Sequence, residues 1–204
     1  IACEGCGACV RNCPQCAIDF PECECGEWFS SRTRCGPMVH AALFAAAENS
    51  GKLVSLVREQ ARVVAKERGY ELVLIDGSPG IGCPVIASIT GASLALVVTE
   101  PTVSGLHDLE RITQVTTHFG VPTCVCINKW DLNGEMTERI SATMREWGFA
   151  TVGRVRYDPA VTHAQLKALS LVEYTDDGAA ADIRALWEAT SCRLQAAVQK
   201  QCAM

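Results

Sequence analysis

Residues 94–131 read LALVVTEPTVSGLHDLERITQVTTHFGVPTCVCINKWD. An apolar run, Leu94–Thr99, is followed by an amphipathic stretch, Ser104–Phe119, and by a second apolar run, Thr123–Ile127. Strands buried on both faces read as continuous apolar runs, and a helix between two of them is the crossover that parallel strands require. The pattern extends in both directions. Upstream, Leu53–Arg68 repeats its apolar residues at helical period and stops at Gly69, Leu72–Ile75 is a short apolar run ending at Asp76, and Pro84–Thr90 is helical. Downstream, Glu135–Trp147 predicts a helix, Thr151–Val155 a weaker strand, and Ala180–Gln199 a closing helix that buries Ile183, Leu186, Trp187, Leu194 and Val198. Val39–Asn49, Ala-rich after Gly36 and Pro37, predicts one more helix. Four strands alternating with helices specify an α/β fold with a mostly parallel, Rossmann-like sheet.

Residues 1–36 are of another kind. They are poor in aliphatic side chains and rich in Cys, Glu and Pro, so the composition divides the chain into residues 1–36 and 37–204. Of the 13 cysteines, Cys3, Cys6, Cys9, Cys13, Cys16, Cys23, Cys25 and Cys35 crowd into this opening. Disulfides that staple a secreted fold would serve the whole chain, so this asymmetry argues against them. Cys3-Glu-Gly-Cys6-Gly-Ala-Cys9-Val-Arg-Asn-Cys13-Pro14 is the C-x2-C-x2-C-x3-C-P run of bacterial ferredoxins. Three thiolates two residues apart wrap one [4Fe-4S] cluster, Gly5 and Gly7 let backbone amides approach the sulfurs, and Cys13 reaches a neighbouring cluster. A competing reading places zinc on Cys3, Cys6, Cys13 and Cys16, but leaves Cys9 without a role. If Cys13 serves a second cluster, the first lacks a fourth thiolate. That shortfall, and an opening of Ile1-Ala2-Cys3 with no initiator Met, read as a segment of something longer.

Charge narrows the partners. Eighteen Lys and Arg against 23 Asp and Glu give a net charge of -5, which argues against nucleic-acid binding. No apolar stretch approaches a membrane span, so a cytoplasmic protein is expected. His40, His107 and His118 are isolated, and no hydrolase triad or H-E-x-x-H run is present.

Two polar turns follow predicted strands. Asp76-Gly77-Ser78-Pro79-Gly80 has the form of a Walker B element, with Asp76 on a Mg²⁺-bound water and the Gly80 amide facing a γ-phosphate. Asn128-Lys129-Trp130-Asp131 has the N-K-x-D form that reads a purine edge. The alternatives are a solvated turn for the first and a polar β–α loop for the second. Ser50-Gly51-Lys52-Leu53 is not a phosphate loop, because Ala46 stands where its first Gly belongs, Leu53 replaces the hydroxyl residue, and the preceding segment reads as helix.

The ferredoxin run, Gly36-Pro-Met-Val-His-Ala41, Asn49-Ser-Gly-Lys-Leu-Val54, Asp76–Val85, Thr99–Asp108 and Ile127–Asn133 occur in an order that resembles the MinD/ParA superfamily of P-loop ATPases, in the branch with an inserted ferredoxin domain. The resemblance implies an incomplete P-loop NTPase sheet preceded by a ferredoxin-like segment, the Walker A loop, switch I and first ferredoxin motif being absent here. It implies Asp76 and Gly80 as catalytic switch residues, Asn128 contacting the adenine with Asp131 completing its tetrapeptide, and Arg156-Tyr157-Asp158-Pro159 as part of the loop bordering the base. Cys3, Cys6, Cys9 and Cys13 would hold [4Fe-4S] clusters, with ATP and Mg²⁺ as the other cofactors. It further implies a homodimer when full-length, an ATPase coupling nucleotide state to electron transfer or Fe-S handling, and a redox partner that the residues do not identify. The alternative is a ferredoxin-type carrier whose α/β part is a non-hydrolysing docking scaffold.

Overall fold

The structure, a computed structural model, describes residues 6–21, 24–45, 47 and 51–202. The chain divides into two compact units, residues 1–88 and 89–204.

In the second unit the expected alternation is present. Strands β3 (Ala95–Thr99), β4 (Thr123–Asn128) and β5 (Ala150–Val155) form a parallel sheet in the order β3-β4-β5. Helices α4 (Val103–His118) and α5 (Gly134–Glu146) are the crossovers, and α8 (Ala179–Cys202) packs on β5. The central strand β4 explains the arrangement. Cys124, Val125, Cys126 and Ile127 are each at most 1% exposed, so successive side chains meet cover on both faces of the sheet. One cluster gathers Val125 and Ile127 with Leu109, Ile140 and Met144. The other gathers Cys126 with Val155, Ala164, Leu171, Ala179 and Ala180. Two short helices, α6 (Ala160–Leu166) and α7 (Leu171–Tyr174), supply part of that second cover.

The first unit departs from expectation at two places. Of the stretch Val39–Asn49 that predicted a helix, residues 39–43 are strand: β1 (Gly26–Thr33) and β2 (Gly36–Leu43) form an antiparallel hairpin, while residues 46, 48 and 49 lie outside the described residues. This hairpin runs across the boundary at residue 36 drawn from composition. Helical propensity is a weak prior, and here it loses to pairing: eight residues of β2 find partners on β1, and α2 (Gly51–Arg68) packs against β2. His40 takes a packing role, its ring stacked on Phe29 at 5.4 Å and its Nε2 3.0 Å from Ser31 Oγ. The Ser50-Gly51-Lys52 tripeptide therefore follows a strand rather than a helix, which removes one of the three reasons for setting it aside; Ala46 and Leu53 remain.

Leu72–Ile75 is the second departure. Among the described residues it has no strand partner, and the predicted fourth strand of the sheet is not formed. Leu74 is 82% exposed. An apolar run becomes a strand only where a neighbour takes its N–H and C=O groups, and none does here. The helix that follows, α3 (Cys83–Ile89), is as expected, and the Arg58 guanidinium of α2 donates to the Ala87 carbonyl.

Candidate functional sites

In the first unit, the described part of the cysteine run is a tight turn. Gly7 adopts φ 67°, a left-handed conformation that a side chain would strain, and the one-turn helix α1 (Ala8–Arg11) follows at once. Arg11 closes the loop by donating to the Cys6 carbonyl at 3.0 Å. Cys6 and Cys9 are exposed on either side of this turn. Cys13 follows it, and its sulfur accepts from the Ala17 amide at 3.4 Å. That amide, with those of Gln15 and Cys16, holds the Cys13 thiol below its ordinary pKa against a small opposing effect of burial. Amides aimed at a sulfur stabilise the thiolate, the form in which cysteine binds metal. Among the described residues no three His, Cys, Asp or Glu side chains converge on one point, and Cys3 lies outside them. The Ala17 amide on the Cys13 sulfur is the one contact here that suits a thiolate ligand; the thiolates expected for a cluster were Cys3, Cys6, Cys9 and Cys13.

The other feature of this unit is the turn Asp76–Gly80. Asp76 is exposed and follows an unpaired segment, so it does not stand at the end of a sheet strand as the Walker B reading required. The turn closes at Gly80 with φ 90°.

In the second unit, polar residues collect where the three strands end. After β3 come Glu100 and Thr102. Thr102 caps α4 by accepting from the Gly105 amide at 2.9 Å. A Cβ at position 105 would lie 2.4 Å from the Glu100 carbonyl oxygen, so only glycine lets α4 start this close to the strand end. β4 ends at Asn128, and Lys129 follows. Lys129 has φ 53°, and its Nζ lies 2.7 Å from Glu100 Oε1, tying together the ends of β3 and β4.

After β5 the loop Arg156–Pro159 begins next to Asn128, which pairs with Val155 in the ladder. Carboxylates hold this loop. Asp182 of α8 binds the Arg156 guanidinium through both oxygens, at 2.7 and 2.8 Å, and takes the Arg156 amide at 3.0 Å. The pairing raises the Arg156 pKa and lowers that of Asp182. Asp158 accepts from the Ala160 amide at 2.8 Å and the Ala179 amide at 3.1 Å, which hold its carboxyl below the usual range. Asp131 accepts the Tyr157 amide at 2.7 Å. The structure thus brings Asn128, Asp131, Asp158 and Pro159 into one neighbourhood, with the Asp131 and Asp158 carboxylates engaged by backbone amides. The sequence reading missed Glu100, Arg156 and Asp182 as partners. Arg156 and Asp182 are 26 residues apart, and nothing local marks them as a pair.

No family model matches the chain. It is 33% identical over 97 residues to an uncharacterised protein of Methanocaldococcus jannaschii, MJ0578, covering 48% of this chain and 34% of that protein. It is 24% identical over 180 residues to MJ0579 of the same organism, covering 85% of this chain and 58% of that protein. The chain therefore spans between a third and three fifths of the curated relatives it matches. Among solved structures, the cell division ATPase MinD of Pyrococcus furiosus aligns with a TM-score of 0.58 at 19% identity, over 71% of this chain and 59% of that one. MinD of Pyrococcus horikoshii, complexed with Mg-ADP, gives 0.55 at 19% identity over 69% and 55%. A ParA family ATPase of Chlorobium tepidum gives 0.54 at 16% identity over 70% and 57%. The fold is MinD/ParA-like. Among the described residues no helix is long and apolar enough to cross a membrane.

Proposed function

We propose that this chain is part of an iron–sulfur, ATP-binding protein of the MinD/ParA type, coupling nucleotide state to electron transfer or Fe-S handling. The observation that carries the reading is the Cys13 sulfur accepting the Ala17 amide within a ferredoxin-spaced run, on a chain whose fold is MinD/ParA-like. Cys3, Cys6 and Cys9 would bind one [4Fe-4S] cluster and Cys13 a neighbouring one, the cluster supplying one-electron transfer. Gly7 and the α1 turn space Cys6 and Cys9, and the Ala17 amide bonds the Cys13 sulfur. On the nucleotide side, Asn128 would contact the adenine, with Pro159 in the loop beside it. The exposed Asp76 carboxylate has the charge and hardness that Mg²⁺ requires, and Gly80 keeps the switch role that the resemblance implies. The phosphate-cradling loop, a second copy in a homodimer and the redox partner belong to the whole protein, for which ATP hydrolysis is the proposed activity.

A second reading is favoured by one observation: Asp76 follows an unpaired stretch rather than a sheet strand. In it the α/β part is a docking scaffold for a ferredoxin-type carrier and hydrolyses nothing. Anaerobic purification of the full-length protein, followed by ATPase assays at matched iron content, separates the readings. The expected result is brown protein with stoichiometric iron and sulfide, and an Asp76→Asn variant that keeps its iron but loses turnover. Colourless protein carrying only zinc overturns the cluster. Wild-type protein that binds no ATP leaves the carrier reading, and near-wild-type turnover in the variant reduces Asp76 to a turn residue.

A further inference from the structure

The N-K-x-D form of residues 128–131 suggests that Asp131 reads a purine edge, and its geometry says otherwise. The following rests on the proposal that the Arg156–Pro159 loop borders a nucleotide base. A carboxylate that reads guanine must offer both oxygens side by side, one to N1–H and one to the exocyclic amine. Asp131 Oδ1 accepts the Tyr157 amide at 2.7 Å, so this carboxylate is oriented by the protein's own backbone. The bond ties the turn after β4 to the loop after β5. That loop starts one residue beyond Val155, the ladder partner of Asn128. Its other fastenings come from Asp182 on Arg156 and from Asp158 on Ala160 and Ala179, so Asp131 adds a hold on the Tyr157 amide within the loop.

We infer that Asp131 is a positioning residue: it fixes the Arg156–Pro159 loop beside Asn128 and does not itself read a base. Base contact then falls to Asn128 and the loop.

Two variants of the full-length protein test this. Asp131→Asn retains an oxygen for the Tyr157 amide but loses the charge, whereas Asp131→Ala loses both. Tyr157 amide exchange, followed by mass spectrometry or NMR, should stay protected in the Asn variant and accelerate in the Ala variant. ATP affinity should stay within about twofold for Asn and weaken by about tenfold for Ala, with kcat little changed in either, since an ordered rim is lost rather than a reacting group. The preference for ATP over GTP should be the same in wild type and the Asn variant. A shift of the Asn variant toward xanthosine triphosphate, or a loss of ATP affinity equal to that of the Ala variant, overturns the inference. If the wild type binds no nucleotide, the proposed function fails. The exchange measurement then still decides the staple, because unchanged Tyr157 protection in the Ala variant would refute it.

Discussion

Two cysteines with the same side chain occupy opposite chemical settings. Cys13 has amides pointed at its sulfur, which favours the charged thiolate. Cys126, 1% exposed in the centre of β4, has its thiol pushed up to about 11, first by burial and then by the nearby Cys124 and Asp182. A buried thiol behaves as a small hydrophobe, whereas an amide at the sulfur favours the reactive thiolate. The buried case has a measurable consequence. Cys126 ionises in the unfolded chain near its ordinary value and in the folded chain only near 11, so its stabilising contribution is complete below the first value and lost as pH rises through the second. Between them stability should fall by about 1.4 kcal/mol per pH unit from this group alone. Urea unfolding at several pH values between 8 and 11 should show a shallower decline for Cys126→Ala than for wild type. Equal slopes would mean that the thiol does not titrate in this way. Cys124, also raised by burial, keeps part of the slope in both proteins.

At the scale of the element, the join between β3 and α4 shows how closely two elements can be coupled. The Thr99 hydroxyl donates to the Gly105 carbonyl at 3.2 Å, and Thr102 accepts the Gly105 amide at 2.9 Å. Gly105 is the hub of this join, with backbone on one side and hydroxyls on the other. Gly105→Ala must push α4 away from the strand end, because the Glu100 carbonyl cannot rotate aside as a flexible side chain could. Overpacking of this kind costs about 1–3 kcal/mol, and helical propensity recovers little of it at a first turn. The midpoint of urea unfolding should therefore drop for Gly105→Ala with the m-value unchanged. A neutral or stabilised variant would show that α4 is free to shift.

For the whole chain, the question is whether these 204 residues can act on nucleotide unaided. Phosphate-handling enzymes hold the phosphates with a nest of amides and a lysine, and a single Mg²⁺-side carboxylate does not replace them. Gly51 and Lys52 are the first residues of α2, and the strand that comes before α2, β2, belongs to an antiparallel hairpin. Residues 1–204 alone should therefore show no ATP turnover. Turnover abolished by Lys52→Ala would make Ser50-Gly51-Lys52 a phosphate loop after all.

What the residues determined by themselves were the features that depend on near neighbours in sequence. The period of Leu53–Arg68, the apolar runs of β3 and β4, and the spacing of Cys6, Cys9 and Cys13 all lie within a few residues of one another, and each was legible without coordinates. What only the tertiary structure decided depends on partners far along the chain. Residues 39–43 became part of β2 because β1 was there to pair with them, while Leu72–Ile75, more apolar, has no strand partner among the described residues. Asp131 meets Tyr157, and Arg156 meets Asp182, each across 26 residues, a distance over which composition and periodicity carry no signal. Local pattern sets what a segment can become; the availability of a partner for its backbone and charged groups sets what it is.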